Sequence, residues 1–193
     1  GNAVDGDPCN GGGYFGEYWR YGALGGGVYC GFDSNVRFEG CTIAGNVITS
    51  GVSGQGGLWP NGSRAEPWWP YLIPAYGAGV FADADSILTF VGCHVTDDNS
   101  VNVADPGDPN LPGYRISPYI SFGGGLGTVG AEIVTIEDSN FLRNNVTIGG
   151  GLYLDNSDFE IVDANIAGNT AIKGAGLYAV ECEVGTMTAS TVT

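Results

Sequence analysis

Acidic side chains recur where chemistry could be staged. Asp33, Asp83, Asp85, Asp155 and Asp158 follow short apolar runs at similar places along the chain. A row of carboxylates is a candidate calcium site, although calcium takes roughly six to eight oxygen ligands and backbone carbonyls would have to complete the set. The same row has a structural explanation, because Asp bonds readily to its own turn. Paired carboxylates also serve glycoside hydrolysis. The basic groups are badly placed for such work. Arg20, Arg37, Arg64, Arg115, Arg143 and Lys173 are scattered, and the single histidine, His94, falls on a solvent-facing position beside Cys93. Neither a Gly-x-Ser-x-Gly nucleophile motif nor a phosphate loop is present. These residues predict no enzyme and no cofactor, with calcium as the exception to test and a polysaccharide lyase or hydrolase as the enzymatic alternative.

The five cysteines are Cys9, Cys30, Cys41, Cys93 and Cys182, and none forms the Cys-x-x-Cys pair expected of zinc sites. Cys41 and Cys93 occupy matching places in two repeats. If those repeats stack, their Cα atoms would lie about 4.8 Å apart, within disulfide reach. A reduced ladder of small residues with Ser139 and Ala164 fits equally. Cys9 and Cys30 would tie the N-terminal segment to the first repeat, leaving Cys182 over.

Aromatic residues are segregated. All four tryptophans lie outside the repeats: Trp19 with Tyr18 near the N-terminus, and Trp59, Trp68 and Trp69, with Tyr71, in a second segment. A third segment carries Tyr114 and Tyr119. These rings would pack as an accessory core, meet another subunit, since Trp and Tyr dominate interface energetics, or offer flat faces to a glycan.

The elements that must position these groups follow from an internal repeat. Gly25-Gly-Gly-Val-Tyr29, Gly77-Ala-Gly-Val-Phe81, Gly123-Gly-Gly-Leu-Gly127, Gly149-Gly-Gly-Leu-Tyr153 and Gly174-Ala-Gly-Leu-Tyr178 share one pattern, anchored at Gly27, Gly79, Gly125, Gly151 and Gly176. A second motif ends at Asn46, Asp98, Asn144 and Asn169, which follow their anchors by 19, 19, 19 and 18 residues. The repeat body is therefore constant. The next anchor comes 33, 27, 7 and 7 residues later, so the long spacings are insertions at one point of the repeat. Solenoids tolerate such insertions because each turn contacts mainly its neighbours.

Within each body, inward residues alternate over short runs: Val36 and Phe38, Leu88 and Phe90, Val134 and Ile136, Phe159 and Ile161. No sustained 3.6-residue apolar stripe appears. The expectation is an all-β right-handed parallel β-helix of about five coils with long loop insertions on one flank. It forms a single domain, 1–193, in which 1–24 would cap one end and 47–76 and 100–122 are the insertions. The Asn and Asp column is expected to be a side-chain ladder at a left-handed turn. At the other end Val184, Met187, Ser190 and Val192 continue the repeat without a charged cap; an open edge there would invite head-to-tail stacking, and truncation from a longer protein would produce the same ending.

With Phe141-Leu-Arg-Asn144, the Gly149-Gly-Gly-Leu-Tyr153 and Gly174-Ala-Gly-Leu-Tyr178 motifs resemble the repeats of the polymorphic outer-membrane protein family. They resemble equally the broader group of pectate-lyase-like parallel β-helix proteins of bacterial surfaces. The likeness covers residues 25–46, 77–99 and 123–193, and implies export, surface display, and an adhesive or structural role.

Composition agrees. Asp and Glu total 21 against 6 Lys and Arg, a formal net charge of −15, which disfavours nucleic acid and anionic membranes as partners. No apolar run reaches the roughly 18 residues needed to span a bilayer. The sequence thus predicts an extracellular or cell-surface structural or adhesive protein, self-associating into a filament or layer. A carbohydrate-binding or carbohydrate-active β-helix is the alternative.

Overall fold

The computed structural model describes residues 25–48, 75–97 and 121–193 in full, and the backbone of 3–5, 49–50, 52–53, 71–72 and 100–103. The protein is all-β, with no helix among the described residues. Three separate five-stranded parallel sheets each take one strand from every repeat. The first sheet holds β2 (Val28–Cys30), β9 (Val80–Ala82), β14 (Leu126–Val129), β17 (Leu152–Asp155) and β20 (Leu177–Val180), in that order. The second holds β3 (Asn35–Glu39), β10 (Ile87–Val91), β15 (Ile133–Glu137), β18 (Asp158–Val162) and β21 (Gly185–Thr188). The third holds β4 (Thr42–Ala44), β11 (His94–Thr96), β16 (Asn140–Leu142), β19 (Asn165–Ala167) and β22 (Thr191–Val192).

The register follows the sequence alignment residue for residue. Phe38, Phe90, Ile136 and Ile161 are successive partners, as are Ile43, Val95, Phe141 and Ile166. These columns, with Val80, Leu126, Leu152 and Leu154 of the first sheet, form one core. Phe90 stacks on Phe38 at 4.7 Å and meets Phe141 edge-on at 5.6 Å. Full burial of such a side chain contributes about 1.5–3 kcal/mol, and like residues fall on like residues because the period-2 alternation repeats in phase. At this end of the sheets Val184, just before β21, Met187 in β21 and Val192 in β22 are exposed.

The corners explain the glycines. The first glycine of each triplet, as at Gly149 with φ +68°, is left-handed. The anchor glycine has a different duty: at Gly27 a Cβ would meet Gly79 O at 2.6 Å and the Asn46 amide at 2.7 Å. The left-handed turn expected at Asn46, Asn144 and Asn169 lies one residue earlier, at Gly45, Arg143 and Gly168. The asparagines instead turn their amides inward. Asn144 Nδ2 donates to Val95 O (3.0 Å) and Asn169 Oδ1 (3.1 Å), and Asn169 Nδ2 donates to Phe141 O (2.8 Å).

The disulfide expectations are corrected. Cys30, Cys41, Cys93 and Cys182 are all unbridged. Cys41 and Cys93 sit in register, since Thr42 pairs with His94. In-register side chains run parallel at the strand spacing of about 4.8 Å, wider than the roughly 3.5–4.5 Å between Cβ atoms that a disulfide favours. Each thiol donates instead to the carbonyl two residues back, Cys41 to Glu39 O (3.5 Å) and Cys93 to Val91 O (3.4 Å). Ser139 does the same to Glu137 O. The reduced small-residue ladder is what forms. Cys182 repeats the device with Val180 O, in the place where Ser157 bonds Asp155 O. Cys9 lies outside the described residues.

Candidate functional site: the aromatic flank

The three aromatic segments share their roots. A further parallel sheet of three strands runs in the order β1 (Ala3–Asp5), β5 (Val47–Ser50) and β12 (Ser100–Val103). Segments 6–24, 51–74 and 104–120 follow these neighbouring strands, about 4.8 Å apart. Two segments return through β8 (Ala75–Tyr76) and β13 (Ser121–Phe122), which pair in parallel. Gly25 N donates to Tyr76 O (3.1 Å), and Gly77 N to Phe122 O (2.8 Å), so all three re-enter side by side. The middle segment is closed near its base by the antiparallel pair β6 (Val52–Ser53) and β7 (Tyr71–Leu72). The N-terminal segment, expected to be a cap, thus starts beside β5 as the others do. Of the contact residues read from the sequence, Tyr71 lies in β7. Tyr18, Trp19, Trp59, Trp68, Trp69, Tyr114 and Tyr119 lie outside the described residues.

Beneath these roots runs a stack of six rings that sequence reasoning missed. Tyr29, Phe81, Tyr153 and Tyr178 share one register column of the first sheet, interrupted by Gly127. Tyr76 and Phe122, from β8 and β13, fill the interruption. Centroid distances run 6.0 Å from Tyr29 to Phe81, 5.5 Å to Tyr76, 4.7 Å to Phe122, 4.6 Å to Tyr153 and 5.8 Å to Tyr178. At Gly127 a Cβ would stand 3.0 Å from Gly77 N, so a side chain there would press on the returning backbone. The signal was the aromatic that closes the glycine motif in four of five repeats.

Two phenols in this stack meet carboxylates. Tyr153 Oη donates to Asp155 Oδ2 (3.0 Å), and Tyr29 Oη to Asp83 Oδ2 (3.3 Å). Tyr153 is only 5% exposed whereas Tyr29 is 50% exposed. Burial, then the charge of Asp155 and the hydrogen bond to it, push the Tyr153 phenol well above the usual tyrosine range. Burial likewise raises the Cys30 thiol.

The five calcium candidates do not converge. Asp33 and Asp85 take left-handed corners. Asp83 and Asp155 receive tyrosines, and Asp158 Oδ1 accepts the Glu183 and Val184 amides at 3.1 and 2.9 Å. Among the described residues no three His, Cys, Asp or Glu side chains are grouped to hold a metal. His94 is exposed, as its strand position requires. Arg37 pairs with Glu39 at 3.3 Å, and Arg143 Nε reaches Asp97 Oδ1 of the preceding repeat at 2.7 Å. A shallow groove of about 480 Å³ on the second sheet is lined by Glu132, Asp158, Glu160 and their apolar neighbours. No helix among the described residues is long and apolar enough to cross a membrane. No protein-family model matches this chain, and neither curated proteins nor solved structures offer a significant match.

Proposed function

We propose that the chain is a right-handed parallel β-helix of about five coils, an extracellular structural or adhesive protein whose aromatic flank is its contact surface. The observation that carries this reading is the common rooting of the three aromatic segments on the adjacent strands β1, β5 and β12. Segments whose ends leave and re-enter on neighbouring strands favour an arrangement on one flank. The coil reading is supported by the strictly sequential order of strands in all three sheets, and the right hand by the near-universal handedness of parallel crossovers. The acidic, lysine-poor composition and the motif likeness to polymorphic outer-membrane and pectate-lyase-like proteins support surface exposure. Self-association is the partner mode proposed, because the sequence concentrates Trp and Tyr in these segments and such residues dominate interface energetics.

The test replaces residues 51–74 with the short connection that joins Asn144 to Gly151. Negative-stain microscopy and sedimentation of the full chain should show filaments or layers. The shortened variant should stay dispersed with an unchanged β-rich circular dichroism spectrum. Dispersed monomers of the full chain at every concentration overturn assembly. Glycan binding by those monomers, lost in W68A/W69A, would establish the carbohydrate-binding alternative.

A further inference from the structure

Within the ring stack, one tyrosine has the surroundings of a redox group. We propose that Tyr153 is a site of reversible one-electron oxidation, with Asp155 as its proton acceptor and Tyr76 and Tyr178 as the rings that exchange electrons with it. A phenol that loses an electron inside a protein becomes a cation radical, and a buried uncompensated charge is costly. The 3.0 Å hydrogen bond to Asp155 removes that cost. As the electron leaves to a one-electron oxidant, such as a ruthenium(III) polypyridyl complex or a high-valent haem, the phenolic O–H bond breaks. The proton joins the Asp155 carboxylate. A neutral phenoxyl radical and a neutral carboxylic acid remain. The raised phenol supports this coupled route, because the phenolate is not available for direct oxidation.

The neighbours complete the arrangement. Tyr178 lies parallel to Tyr153, 4° between planes at 5.8 Å, and Tyr76 lies at 6.1 Å. Phe81 and Phe122 have no hydroxyl proton to give and act as packing. When partly exposed Tyr178 returns an electron to the Tyr153 radical, its own proton goes to solvent, and Asp155 hands its proton back to Tyr153. Tyr29 with Asp83 is the internal comparison: the same pairing, at 3.3 Å, on a half-exposed ring. A radical there is open to solutes that quench it, whereas Tyr153 is shielded.

The inference is independent of the assembly reading and is tested on the full chain. Flash oxidation with photogenerated ruthenium(III) tris-bipyridine, followed by transient absorption and electron paramagnetic resonance, should reveal a long-lived tyrosyl radical. Y153F, which removes one hydroxyl, should lose most of the long-lived signal while keeping its circular dichroism spectrum. Y29F should keep it. D155N retains a hydrogen-bond acceptor that takes no proton, so radical formation should slow and its solvent deuterium effect should change. An undiminished long-lived signal in Y153F, or an unchanged formation rate in D155N, overturns the proposal.

Discussion

Asn169 lays its side-chain amide against Gly151: a Cβ on the glycine would stand 2.9 Å from Asn169 Nδ2 and 2.6 Å from Gly176 O. Gly125 stands in the same relation to Asn144, at 3.0 Å. The two motifs of each repeat are therefore two sides of one contact, which is why their separation is constant. Gly151→Ala should force the backbone of the next repeat to move. Overpacking of this kind costs about 1–3 kcal/mol, read as a lower urea midpoint with an unchanged slope. A midpoint equal to that of the wild type would show that the contact is slack.

Asn144 carries a sharper prediction. It is fully buried and joins Val95 O to Asn169 Oδ1. Asn144→Ala leaves those acceptors short of a donor, a loss of about 1–3 kcal/mol. Asn144→Asp should be worse at neutral pH, since it turns a carboxylate toward two acceptors. The deficit should shrink as acid protonates the new group, because the neutral acid supplies one O–H donor where the carboxylate supplies none and carries no buried charge. Urea unfolding of both variants at neutral and mildly acidic pH makes the comparison.

The contrast between these motifs and the aromatic stack shows what a linear sequence can disclose. The inward columns were legible because alternation with period two repeats in phase, so Phe38 predicts Phe90 and Ile43 predicts Val95. The asparagine ladder was legible as a column but its turn was misplaced by one residue, because the left-handed backbone of Arg143 leaves no mark that an Asn at 144 does not also suggest. The ring stack was legible only in part: the aromatic closing the glycine motif marks Tyr29, Phe81, Tyr153 and Tyr178, but not the two rings that bridge them. Tyr76 and Phe122 reach it from different strands, and Gly127 hides the column in the middle repeat. The N-terminal strand was equally hidden: Gly1-Asn2 precedes β1 as Gly45-Asn46 precedes β5, a signal too short to recognise before the pairing of Ala3 with Val47 is known.

The cysteines separate by position. Cys41, Cys93 and Cys182 occupy corner places that serine fills in other repeats, each donating to a carbonyl two residues back. Serine substitution at these three should change stability by less than about 1 kcal/mol, since one hydrogen bond replaces another. Cys30 is different. It is buried in an inward column beside Ala82, where a hydroxyl costs about 1–3 kcal/mol without a partner. Thermal melts of the four single variants should therefore single out C30S. A C93S melt as low as that of C30S would remove the serine-equivalent reading.

Alkaline pH tests the environment of Tyr153. Its phenol is raised above the ordinary value of 10.0, first by burial and then by Asp155. The folded state therefore keeps a proton that the unfolded chain releases above about pH 10. With more protons bound in the native state, stability falls as pH rises. This group's contribution is complete below the unfolded tyrosine value and declines above it. Y153F removes the titrating hydroxyl, so its unfolding free energy should fall less steeply between mildly and strongly alkaline buffers. Parallel curves for Y153F and wild type would mean that the Tyr153 phenol ionises as freely in the fold as out of it.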